Sequence, residues 1–169
     1  LDVGGHVVGE PVAGREPARG HGMAVSPDGA TAILFGRRPG EFALVLDPAA
    51  GTLRHAIAQV PERWFCGHGI FSADGRLAYA TEIDAQGEGV VGVYAAGHWR
   101  RVGEFPTGGL DPHDIRLAPD RRTLIVANGG IRTDPRQPRA RFELDDMDSS
   151  LALIDAASGR LLAQHRLGE

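Results

Sequence analysis

Residues 22–36 read GMAVSPDGATAILFG, two short apolar runs on either side of a Ser-Pro-Asp-Gly turn. Runs of this length, rich in Val, Ile and Leu and bounded by turn residues, predict the two strands of a hairpin. The pattern returns as GIFSADGRLAYATE at 69–82 and as DIRLAPDRRTLIVAN at 114–128. Aligned on their turn aspartates, Asp28, Asp74 and Asp120 stand 46 and 46 residues apart. A fixed period of that size dictates the fold before any other feature does.

Each unit carries a second marker further along. FALVLDPAAGTLRHAI (42–57), GVVGVYAAGHWRRVGEF (89–105) and SLALIDAASGRLLAQHRL (150–167) each read as strand, small-residue turn, strand. No segment shows a 3.6-residue apolar stripe of helical length. Four up-and-down strands in each period of ~46 residues are the mark of a β-propeller blade. One such sheet cannot bury both faces alone, and packing blades face to face does so. The expected fold is therefore an all-β propeller of four-stranded antiparallel blades, about three and a half of them present. Residues 1–18, LDVGGHVVGEPV onward with Asp2 in the place of Asp47 and Asp155, read as the end of a preceding blade. Blades follow at 19–62, 63–108 and 109–169, the last with a loop insertion at 129–149. Propellers usually have four to eight blades. The chain is thus expected to be part of a longer propeller, or to close by pairing with another copy. Its first residue is Leu1 and no charged-plus-apolar leader precedes it, as in a processed, trimmed or partial chain.

Composition excludes several classes. With 42% hydrophobic and 24% charged residues the chain is globular, and no run is long enough to cross a membrane. A net charge of −4 gives no electrostatic case for nucleic acid. A single cysteine, Cys66, rules out an intrachain disulfide and a multi-thiolate zinc site.

The chemistry-bearing candidates begin with three histidines. His21, His68 and His113 each stand at the head of a unit, where the first strand of a propeller blade lines the central channel. Neutral imidazoles there are ligands for iron, copper or zinc. The alternative is that each ring hydrogen-bonds within or between blades. Counting bears on the choice: His21 and His113 lie seven residues before their turn aspartates, and His68 lies six before Asp74. A slip of one residue reverses side-chain direction in a strand unless a bulge absorbs it. Cys66 forms a Cys-x-His with His68, although a lone Cys between Phe65 and Gly67 is expected to be a small buried residue. Arg37 and Arg38, with Arg132, form a candidate anion patch, and Asn128 opens the insertion. The cluster ELDDMD (143–148) offers oxygen ligands but lacks the glycine and spacing of a calcium loop. No G-x-S-x-G and no phosphate-cradling glycine loop occurs.

ARGHGMAVSP, GRRPGE, CGHGIFSADGRLAYATE, GGLDPHDIRLAPDRRTLIVANGGIRTDP and MDSSLALID together resemble, in order and over nearly the whole chain, a bacterial family of uncharacterised propellers, domain-of-unknown-function family 1513 (DUF1513). The resemblance implies a seven-bladed propeller of YVTN or WD-repeat type, exported to the periplasm and found beside imelysin-like proteins of iron uptake. It carries no established reaction. His21, His68 and His113 match the family's GHG, GHG and PH positions, Arg37 to Gly40 its RRPG, and Asn128 to Ile131 its ANGGI. The chain departs at Cys66, where an aromatic is usual, and at VYAAGH (93–98), where an Asp normally follows the Tyr.

Two functions follow as expectations. The first is a non-enzymatic periplasmic binding or scaffold module that works with metal-uptake proteins through its channel mouth and loops. The second is a hydrolase like the propeller lactonases, which share the P-H…PD…V-x-N wording of DPHDIRLAPDRRTLIVAN. It would place His113 and Arg116 near a channel substrate. A histidine-held metal is a third reading.

Overall fold

The turn aspartates close the first hairpin of every unit by the same device. Ser26 donates its hydroxyl to Asp28 at 2.6 Å, and Ser72 to Asp74 at 2.6 Å, while backbone amides two residues on bind the same carboxylates. Asp120 accepts from the amides of Arg122 and Thr123, both at 2.9 Å. The residue after each aspartate must turn left-handed: Gly29 and Gly75 have φ of 72° and 71°, and Arg121 has 60°. Glycine meets that demand freely, whereas a side chain there costs on the order of 1 kcal/mol.

A computed structural model describes residues 19–134, 136 and 147–166. The half-blade expected at 1–18 and most of the 129–149 insertion lie outside the described residues. Among the described residues, twelve strands form three four-stranded antiparallel sheets, each in simple sequential order. The first holds β1 (Gly20–Val25), β2 (Ala32–Gly36), β3 (Phe42–Asp47) and β4 (Thr52–Ala58). The second holds β5 (Arg63–Phe71), β6 (Leu77–Asp84), β7 (Glu88–Ala95) and β8 (Arg100–Leu110). The third holds β9 (Pro112–Leu117), β10 (Thr123–Asn128), β11 (Ser150–Asp155) and β12 (Leu161–Arg166). The described residues are all-β, and the sheets are of propeller-blade type.

Alternation of side chains decides how the sheets stack. Ile33, Phe35, Ala43 and Val45 of the first sheet pack against Phe65, Ala78, Ala80 and Tyr94 of the second. Tyr79, Val91 and Val93, on the opposite face of the second, pack against Ile115, Leu124, Val126, Ala152 and Ile154 of the third. The middle sheet is thus buried on both faces, and β6 and β7 are buried almost end to end. The first strands β1, β5 and β9 lie side by side. The fourth strands β4 and β12 are largely exposed.

Burial on both faces raises the cost of any charge in the middle sheet, and Glu82 is 1% exposed. It is fully engaged: Tyr94 donates its hydroxyl at 2.5 Å and Arg101 binds at 2.8 Å. Arg101 continues to Glu104 at 2.7 Å, which Arg63 grips through two nitrogens at 2.8 Å each. One chain of contacts therefore ties β5, β6, β7 and β8 together. Gly92 makes room for it, since a Cβ there would stand 2.1 Å from Glu82 Oε1. Burial pushes the Glu82 carboxyl up, opposed by Arg101 and the Tyr94 hydroxyl. The Arg63 bond, with Arg101 beside it, holds the Glu104 carboxyl down from its ordinary 4.5 to about 2.

A carboxyl with a lowered folded pKa contributes stability above its unfolded value, and that stability is lost as pH falls through the folded one. Glu104→Gln is expected to lower stability at neutral pH by about 1 kcal/mol, a modest figure because solvent screens a part-exposed pair. The gap between variant and wild type should shrink as pH falls from 4.5 toward about 2. Urea unfolding at neutral pH and near pH 2 checks this, and an undiminished gap in acid would refute a charge origin.

Candidate functional site

The heads of β1, β5 and β9 each depart from regular pairing. In β1 the register moves from Gly20↔Gly36 to Met23↔Leu34, in β5 from Phe65↔Glu82 to Gly69↔Ala80, and in β9 from Pro112↔Asn128 to Asp114↔Ala127. Each bulge contains one histidine: His21, His68 and His113. A bulge re-aims side chains that strict alternation would send to opposite faces. The bulge of β5 spans one more residue than that of β1 and two more than that of β9, and it contains Gly67 at φ 102°. The one-residue slip of His68 therefore does not separate it from its counterparts.

The structure brings the three imidazoles together. Ring centroids are 4.9 Å apart for His21 and His68, 5.4 Å for His68 and His113, and 6.3 Å for His21 and His113. One ligand nitrogen from each ring lies within 4.8 Å of the other two. His21 and His113 are exposed and His68 is half-buried.

The glycines of the GHG words are what permit this approach. A Cβ on Gly67 would stand 2.7 Å from His21 Cδ2, and one on Gly22 would stand 2.9 Å from His68 Nδ1 and 2.4 Å from the Gly67 carbonyl oxygen. Each glycine is the floor under the neighbouring strand's imidazole. The spacing of the motif carried this signal, but only the pairing of β1 beside β5 reveals it.

His68 also has a partner that the sequence did not single out. Its Nδ1 faces Asp114 Oδ1 at 3.5 Å, while its Nε2 is buried and has no hydrogen-bond partner. Asp114 is itself fixed by the Ile115 amide at 2.9 Å and by Arg116 at 2.8 Å. Burial pushes the His68 imidazole toward its neutral form, with Asp114 opposing. A neutral ring with a carboxylate facing one nitrogen and the other nitrogen unpartnered is the form that binds a metal.

The remaining candidates go elsewhere. Cys66 is buried, and burial pushes its thiol far up, so no thiolate is available. Arg38 forms an ion pair with the buried Asp111, whereas Arg132 reaches the Gln86 carbonyl at 3.0 Å and Glu88 at 3.6 Å. Arg37 is exposed, and its backbone amide bonds the Arg19 carbonyl. Two arginines of the expected anion patch are thus engaged at separate partners. Asn128 is 3% exposed and donates to Ser150 Oγ of its own sheet and to the Thr107 carbonyl of the second, so its amide nitrogen is engaged in joining the two. Of the acidic cluster, residues 143–146 lie outside the described residues, and Asp148 pairs with Arg166. His113 belongs to the imidazole cluster and Arg116 to Asp114.

Blade-type sheets joined through their first strands, with three imidazoles at one end, place the chain among β-propeller-type proteins. It belongs to the DUF1513 family, "Protein of unknown function (DUF1513)", whose profile matches residues 15–169. Among solved structures it is similar to Kuenenia stuttgartiensis hydrazine synthase, with a TM-score of 0.69 at 21% identity over 88% of this chain and 37% of that one. It is also similar to a eukaryotic initiation factor, with a TM-score of 0.59 at 14% identity over 90% of this chain and 33% of that one. At these identities the likeness shows the fold alone. The chain spans about a third of the length of these solved chains. No curated protein matches it.

The reciprocal packing has a direct consequence. Gly22→Ala should destabilise the protein by about 1–3 kcal/mol, the usual cost of forcing atoms into a filled site. It should also shift the His68 ring resonances in NMR spectra. Normal stability with unmoved His68 signals would show that the glycine is not the floor of the cluster.

Proposed function

We propose that this chain is a metal-holding binding module in which His21, His68 and His113 together bind one borderline divalent transition ion. The observation that carries this reading is the convergence of three imidazole nitrogens within 4.8 Å. A tetrahedral ion with bonds of about 2.0 Å requires nitrogens about 3.3 Å apart. The rings must therefore close by up to about 1.5 Å, which rotation of the exposed His21 and His113 supplies. The unpartnered Nε2 of His68 supports the same reading, with Asp114 behind Nδ1 in the manner of a carboxylate–histidine–metal relay.

A donor set of imidazoles alone suits zinc, copper or iron and is poor for calcium or magnesium. Zinc or copper(II) is the preferred occupant, since affinity at nitrogen sites rises toward that end of the series. Three protein ligands leave a coordination position for water or an exogenous ligand. The setting that the family resemblance implies, a seven-bladed periplasmic propeller beside iron-uptake proteins, fits a module that holds a metal and is part of the same proposal.

The test is metal binding by the whole chain after chelator treatment. Zinc(II), copper(II) and, without oxygen, iron(II) would be titrated separately; one equivalent of zinc or copper is expected. His68→Ala should weaken binding roughly 100-fold or more, one ligand's share of a site worth about 10 kcal/mol. Asp114→Asn should weaken it about 10-fold, the size of an outer-shell effect. Equal binding by wild type and by a variant lacking all three histidines would sink the proposal. Preference for iron(II) would transfer it to iron.

A further inference from the structure

Along the same first strands, past the histidines, β1, β5 and β9 enclose a cleft of about 370 Å³. That volume is the size of a small-molecule site. Met23, Val25, Ile70 and Phe71 form its apolar wall, and Arg116 and Arg121 are its cations. No carboxylate is among the described residues that line it. Met23 and Val25 are 62% and 51% exposed there, an apolar surface left open inside a concave wall.

Arg121 is the telling residue. It occupies the left-handed position that Gly29 and Gly75 fill in the two sister turns, so the third turn carries both backbone strain and a guanidinium there. One of its nitrogens donates to the Ala73 carbonyl at 2.6 Å, which carries the side chain across to the second sheet and leaves other N–H groups unassigned. Arg116, 66% exposed, is held by Asp114 and the Ile115 carbonyl through one nitrogen only. Asp114 offsets part of its charge. Asp28 and Asp74 turn their carboxylates to Ser26 and Ser72 and to the amides of their own turns and are not among the residues that line the cleft.

We propose that this cleft binds an organic anion with an apolar body, a medium-chain carboxylate, its headgroup on Arg116 and Arg121 and its chain against Met23, Val25, Ile70 and Phe71. Charge at one end and apolar wall along the rest select for both halves of such a molecule. The proposal does not require a metal at the histidines.

Octanoate and, for comparison, octanol would be titrated into chelator-treated whole chain by calorimetry. Octanoate should bind at least tenfold more tightly than octanol, with the preference falling at high salt. Arg121→Gly installs the residue of the sister turns. It should keep or raise the melting temperature, leave zinc stoichiometry unchanged and weaken octanoate about tenfold. Arg116→Gln should weaken octanoate similarly. Equal affinity for octanoate and octanol, no octanoate binding at millimolar concentration, or an Arg121→Gly variant with wild-type octanoate affinity would each overturn the proposal. Because the octanoate and octanol titrations are metal-free, none of these overturning outcomes bears on the histidine site.

Discussion

Burial of the middle sheet on both faces is the constraint on which the rest of the structure depends. Its two strands β6 and β7 pass Ala78, Ala80 and Tyr94 to one neighbour and Tyr79, Val91 and Val93 to the other. Side-chain identity on those strands is therefore set from two directions, and small residues alternate with large ones so that both cores close. The same constraint explains the polar chain from Arg63 to Tyr94. Once Glu82 is sealed between sheets, removing a single partner would leave an uncompensated charge where water does not reach. Face-to-face packing also places β1, β5 and β9 side by side, and so fixes where anything carried by their first residues must meet.

What meets there depends on broken regularity. Three ideal strands would have sent His68 to the face opposite His21 and His113, given its one-residue offset from the turn. Bulges in all three strands release the rings from that rule, and glycines beneath them remove the atoms that would keep them apart. Each bulge forgoes ladder hydrogen bonds, a cost that the rest of each four-stranded sheet is large enough to carry. Local irregularity in a rigid surround is how a fold places functional groups.

The repeat made the fold legible. The turn aspartates mark the first hairpins because a carboxylate that caps its own loop is chemistry a sequence displays openly, and the absence of a helical stripe completed the all-β reading. The site was only half legible. The three histidines are visible as words, but counting along the chain argued against their convergence, because bulge size is a property of pairing between strands. Asp114 is not legible for a similar reason: nothing in DPHD says which carboxylate will face a histidine from the neighbouring sheet. Arg38 and Asn128 were visible too, yet the partners that occupy them, Asp111 and Ser150, lie far away in sequence.

Internal repetition also provides a reference that a single domain rarely has. Three turns of one design stand in one chain, so a departure in one of them can be compared with the solution the other two adopt. Glycine follows the aspartate twice, and arginine follows it once in the same left-handed conformation. Packing does not demand that arginine, since the sister turns close without a side chain at this position. Its guanidinium is also tied down, because it bonds across to the second sheet and lines the cleft. Strain kept at a position where an unstrained residue is available, and kept next to a concave apolar wall, marks a residue held for what it touches.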